Sequence, residues 1–149
     1  MKQSIILFSA VLLSNLGNAQ EATPPDSPLW LRNASISPDG QIIAFCYQGD
    51  IWRVPTAGGD AVPLTTNEAF DYAPVWSHDG KQLAFASIRH GNADVFVMAA
   101  TGGAPTRLTF HSTGEMPMDF TIDNANIIFY GGRQDDVRNQ QFPVGGLGE

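Results

Sequence analysis

Ser77, His78 and Asp79 stand side by side and supply the side-chain types of a nucleophile, a base and an acid. That chemistry needs the imidazole placed between the hydroxyl and the carboxylate in space. Neighbours along an extended chain point to opposite faces, which works against such an arrangement. The same position recurs earlier as Ser37-Pro38-Asp39-Gly40, with no histidine in it. The trio is therefore expected to be a turn. His90 is expected in an exposed hairpin loop and His111 just past a strand end. Neither belongs to a His-x-x-x-His pair or to a cysteine pair, so zinc is not indicated. Cys46 is the sole cysteine, which rules out an internal disulfide. It falls on a strand position and reads as a small buried hydrophobe, with no base or electropositive setting to activate it. Asp123-Asn124-Ala125-Asn126 has the start of a calcium loop but lacks the glycine at the sixth position and the distal glutamate. Asp135-Asp136 could hold a cation or a peptide amine, though such a pair reads first as a solvated loop. Asn33-Ala34-Ser35 fits the N-glycosylation triplet. No catalytic, cofactor-binding or metal-ligating residue is assigned, and no cofactor is expected.

These residues become intelligible once the repeat that carries them is seen. Pro74 to Phe110 contains one complete unit. In the first copy, Ser37-Pro38-Asp39-Gly40 is followed by Ile43-Ala44-Phe45, then Asp50-Ile51-Trp52-Arg53, then Ala57-Gly58-Gly59 and Pro63-Leu64-Thr65. In the second, Ser77-His78-Asp79-Gly80 is followed by Leu83-Ala84-Phe85, Asp94-Val95-Phe96-Val97, Thr101-Gly102-Gly103 and Arg107-Leu108-Thr109. The spacing between copies is 40 residues up to the second strand and 44 after it. The extra residues fall in Ile88 to Asn92, a turn, where a structural repeat tolerates insertion. A third copy begins at Met118, with Phe120-Thr121-Ile122-Asp123-Asn124 and then Ile127 to Tyr130. Asn124 stands where glycine stood, and asparagine tolerates the left-handed conformation.

The apolar runs are short, β-branched or aromatic, and bounded by turn residues, which favours strands. The first copy predicts strands over Ala34 to Ser37, Ile42 to Tyr47, Asp50 to Pro55 and Ala61 to Leu64. Four hairpin-linked strands in about 40 residues are the mark of a β-propeller blade. The expected fold is thus all-β, a partial propeller with two complete blades and a third begun. Blades are expected over about 34–66, 74–110 and 118–149. Gly132 to Gly148 reads as a long polar, glycine-rich stretch, with the chain stopping where a third strand of blade 3 is due. A blade buries its faces only against neighbours, so the chain is expected to be the N-terminal piece of a longer protein. Phe45, Phe85 and Phe129 are equivalent and are expected to fill the spaces between blades, with Trp52 and Phe96 as their third-strand counterparts.

The N-terminus reads as an export signal over residues 1–19. Lys2 gives the positive region, Ile5 to Leu13 the apolar core, and Gly17-Asn18-Ala19 the small residues before a cleavage site. The apolar run is too short to span a bilayer. Residues 20–33 form a polar, proline-rich leader that turns into an ordered opening segment at Pro28-Leu29-Trp30-Leu31-Arg32. Fifteen glycines and 10 prolines demand many turns, while 43% hydrophobic content supports a packed core. The formal charge of −7 repels phosphate backbones and argues against a nucleic-acid partner.

The repeat pattern resembles the TolB-type propeller repeat, a WD-like unit lacking the Gly-His and Trp-Asp dipeptides of true WD repeats. Pro28-Leu29-Trp30-Leu31-Arg32, Gly49-Asp50-Ile51-Trp52-Arg53-Val54-Pro55, and Gly131-Gly132-Arg133-Gln134-Asp135-Asp136 with Phe142-Pro143-Val144 resemble the opening of tricorn-like proteases. The resemblance implies propellers that gate peptides toward a downstream serine peptidase domain, preceded there by a PDZ domain. The family's catalytic serine and histidine would then lie beyond Glu149. It implies a peptide or protein substrate and the rest of the chain as partners, and it admits a homo-oligomer. A TolB-like periplasmic propeller that binds a partner protein is the alternative, and a prolyl-oligopeptidase-type enzyme a third.

Overall fold

The computed structural model describes residues 31–132 and 141–143. The strands are β1 (Arg32–Ile36), β2 (Ile42–Tyr47), β3 (Asp50–Pro55), β4 (Val62–Pro63), β5 (Asp71–Trp76), β6 (Gln82–Ser87), β7 (Asp94–Ala99), β8 (Thr106–Arg107), β9 (Glu115–Phe120), β10 (Asn126–Gly131) and β11 (Gln141–Pro143). They form three antiparallel sheets in the orders β1-β2-β3-β4, β5-β6-β7-β8 and β11-β10-β9. The chain is all-β here, a partial propeller with open outer faces. Neighbouring strands are joined in sequence order because each turn carries residues that reverse the chain within a few positions.

The second and third strands of the first repeat fall where the residue pattern predicts them. The first strands do not. They begin at Arg32, Asp71 and Glu115 rather than at Ala34, Pro74 and Met118. β1 opens on the polar Arg32-Asn33, and β5 and β9 each open on an acidic residue, so hydrophobic alternation misses these starts. A β-bulge explains the broken alternation. The register shifts between Arg32 and Ser35 and between Tyr72 and Val75, where Asn33 and Ala73 take φ of 51° and 53°. The glycosylation triplet of Asn33 therefore sits on this bulge. The third blade differs from expectation in one more way. Its third strand, β11, pairs Gln141, Phe142 and Pro143 with Ile128, Ile127 and Asn126, inside the stretch read as loop. Backbone pairing needs no hydrophobic run, so a polar segment can supply a strand. The export signal, the leader up to Trp30 and Asp135-Asp136 lie outside the described residues.

The sheets stack face to face, and the first strands β1, β5 and β9 lie side by side as an inner row. Two cores result. Ala44, Cys46 and Ile51 of blade 1 meet Trp76, Leu83, Phe85, Phe96 and Met98 of blade 2. Ala84, Val95, Val97 and Leu108 of blade 2 meet Phe120, Ile127 and Phe129 of blade 3. Alternation along β6 thus sends odd positions to one neighbour and even positions to the other. Phe85 and Phe129 fill the junctions as expected. Phe45 occupies the same strand position, but it faces the open side of blade 1 with Ile43, Val54 and Ala61.

Candidate functional site

Each Asp-Gly or Asp-Asn turn is a small closed clasp. In blade 2, the Ser77 hydroxyl donates to Asp79 Oδ1 at 2.8 Å, and the same oxygen accepts the Lys81 amide at 3.1 Å. The Gln82 amide donates to Ser77 Oγ at 2.9 Å. Blade 1 repeats this with Ser37, Asp39, Gln41 and Ile42. Blade 3 repeats it with Thr121, Asp123, Ala125 and Asn126. The hydroxyl donor first, and the amide second, hold the Asp39, Asp79 and Asp123 carboxyls below the usual range. Gly40, Gly80 and Asn124 take φ of 72°, 69° and 57°, which is why glycine or asparagine stands there.

This geometry disposes of the apparent triad. Ser77 bonds Asp79 directly. His78 turns away, its Nε2 lying 3.0 Å from the Phe120 carbonyl, while its amide donates to Asn124 Oδ1 at 2.6 Å. The imidazole is a link from blade 2 to blade 3. His111 bonds Thr113 Oγ1 at 2.9 Å, and His90 lies flat against Phe96. Cys46 is buried; burial pushes its thiol pKa up, and Sγ donates to the Asp71 carbonyl at 3.2 Å. Among the described residues no group of three or more His, Cys, Asp and Glu side chains is placed to hold a metal.

What the structure does assemble is a groove between blades 1 and 2, of about 460 Å³, at the end bearing these turns. Its lining includes Asp39, Arg53, Trp76, His78, Asp79 and Thr101. Trp76 Nε1 donates to the Ser35 carbonyl at 3.1 Å and fixes the wall. Arg53 projects from β3 and donates through Nη1 to the Ala100 carbonyl at 3.3 Å. Sequence reasoning missed Arg53. The signal was available, because Arg53 is the charged residue at a position where the second repeat has Val97.

The opposite end of blade 2 is locked by charge. Asp71, Ser87 and Asp94 are fully buried and in register across β5, β6 and β7. Arg89 pairs with Asp71 at 2.7 Å and lies over the Phe85 and Phe96 rings. Arg107 pairs with Asp94 at 2.8 Å. Asn92 donates to the His111 and Thr113 carbonyls, tying the turn to the connection into β9. The insertion Ile88 to Asn92 therefore supplies an ion pair and a brace to this end of blade 2.

The profile of the tricorn protease N-terminal β-propeller domain matches residues 28–144. The chain belongs to that family. Tricorn protease homolog 1 of Streptomyces coelicolor is 34% identical over 87 residues, covering 58% of this chain and 8% of the homologue. TolB from Acinetobacter baumannii superposes with a TM-score of 0.62 at 21% identity, over 78% of this chain and 30% of TolB. The tricorn protease structure superposes with a TM-score of 0.60 at 15% identity, over 74% of this chain and 12% of that protein. At these identities the two structures carry the fold alone. This tricorn-family propeller segment spans a small part of each relative. Among its described residues no helix is long and apolar enough to cross a membrane.

Proposed function

We propose that this chain is the noncatalytic opening propeller segment of an exported tricorn-like serine peptidase, and that it guides peptide access or assembly. The observation that carries the reading is the family match across residues 28–144. The clasped Ser77 and Asp79 support it, because their hydroxyl and carboxylate are spent on the turn. So does the groove between blades 1 and 2, a concave surface of about 460 Å³, the size of an ordinary ligand site. The N-terminal pattern of Lys2, the apolar run Ile5 to Leu13 and Gly17-Asn18-Ala19 supports export to a periplasm or beyond. A second reading is a TolB-like propeller that binds a partner protein without catalysis. The superposition on TolB favours keeping it. The test is the reading frame that contains Glu149. A downstream PDZ and serine peptidase region supports the first reading. A stop after the last blade of a ring, with no peptidase, supports the second and refutes the first.

A further inference from the structure

We infer that the charged end of blade 2 is a binding site for one ordered water molecule, held by Asp71, Ser87 and Asp94, which joins the two arginine–aspartate pairs into a single network. The inference stands independently of the peptidase reading.

The three residues lie on neighbouring strands. Asp71 of β5 is opposite Ser87 of β6, and Ser87 is opposite Asp94 of β7. Residues directly opposite each other on adjacent antiparallel strands share a face of the sheet, with Cβ atoms about 4.5–5.5 Å apart. All three are fully buried. Arg89 pairs with Asp71 Oδ2, and Arg107 pairs with Asp94 Oδ2. Asp71 Oδ1, Ser87 Oγ and Asp94 Oδ1 remain, each buried and without a hydrogen-bond partner among the described residues. Arg89 Nε is a further buried donor without one. Buried polar atoms in folded proteins are satisfied by protein groups or by ordered water. A water matches this set. It donates one hydrogen to each aspartate and accepts the Ser87 hydroxyl, and three bonds are typical of a buried water.

Charge decides between water and a cation. Two aspartates are balanced by two arginines, so the cluster is neutral as it stands. A metal ion would add an uncompensated charge in a fully buried place, where such a charge is costly. A neutral molecule preserves the balance.

The other blades treat the equivalent positions differently. In blade 3 the pair corresponding to Asp71 and Ser87 is Glu115 and Gly131. A Cβ added to Gly131 would meet Glu115 Cγ at 3.2 Å, so the longer acid lies where a serine would stand. In blade 1, Asp50 corresponds to Asp94, and its Oδ1 accepts the Thr65 hydroxyl at 2.9 Å. The row of three buried oxygens belongs to blade 2.

The test is a high-resolution crystal structure of the chain, grown once without divalent cations and once with calcium. Both crystals are expected to show one density peak about 2.7–3.0 Å from Asp71 Oδ1, Ser87 Oγ and Asp94 Oδ1. The double variant Asp71→Glu, Ser87→Gly copies blade 3 and is expected to lose that peak. A Ser87 hydroxyl bonded directly to an aspartate, with no peak beside it, overturns the inference. So does a peak that appears only with calcium, or one with oxygen distances of about 2.3–2.6 Å, which marks a cation. Retention of the peak in the double variant also overturns the assignment of its ligands. The wild-type crystals decide the matter whether or not the variant folds.

Discussion

Replacing Phe85 with alanine should cost this propeller more than the same change at Phe45, although the two positions are equivalent in the repeat. Phe85 is fully buried at the junction of blades 1 and 2. Its ring lies 5.8 Å from that of Phe96, and Arg89 covers it at 5.8 Å. Deleting a buried phenylalanine costs about 3–5 kcal/mol through lost transfer energy and the cavity left behind. The aromatic pair adds about 0.5–1.5 kcal/mol beyond area, so Phe85→Ala belongs near the upper end of that range. Phe45 is 9% exposed and faces the open side of blade 1, where water and neighbouring chains can fill the space. Its loss should cost about 3 kcal/mol or less. Urea unfolding followed by tryptophan fluorescence reads both midpoints. A Phe85→Ala cost below about 1 kcal/mol, or a larger loss at Phe45, would refute the assignment of faces.

Further outcomes follow from other contacts. Asp71→Asn and Arg89→Ala should each cost about 3–5 kcal/mol, because either change strands a buried charge or its partner; the double variant should cost far less than the sum in a double-mutant cycle. Thr121→Val should raise the Asp123 carboxyl toward its ordinary value, since the lost hydroxyl is the main cause of its depression; a carbon-detected pH titration reads this directly. With folded pKa values depressed, the Asp39, Asp79 and Asp123 contributions are present above the unfolded carboxylate pKa. They are lost as pH falls through the folded values, so once neutral-pH stabilities are matched in urea the wild type should lose more stability on acidification than Thr121→Val, whose Asp123 has less to lose. The Cys46 thiol should react with a disulfide reagent only at the rate of unfolding, as it is buried with a raised pKa.

Residue pattern reveals what recurs and hides what does not. The strands Ile42–Tyr47 and Asp50–Pro55 and the Asp-Gly turns are legible because hydrophobic alternation and left-handed turn residues have no competing explanation. The strand starts at Asp71 and Glu115 are not, since the first copy has Leu31 at the equivalent place and no repeat is visible there. The partner of Asp71 is hidden for a related reason: Arg89 lies in the insertion, which alignment treats as a gap. β11 carries no apolar run at all. The groove escapes sequence reasoning because two blades build it, and only packing brings Arg53 beside Trp76 and Ala100. The Ser77-His78-Asp79 trio shows the converse, three suggestive residues that a hydrogen-bonded turn accounts for completely.

Peptide hydrolysis by the complete gene product tests the central claim most directly, measured on an internally quenched peptide with and without a serine-directed inhibitor, in wild type and in Ser77→Ala. The account predicts inhibitor-sensitive hydrolysis whose kcat is unchanged, within about twofold, by the Ser77 substitution, because that hydroxyl belongs to a turn. Absence of hydrolysis, or its abolition by Ser77→Ala in a folded protein, would contradict it.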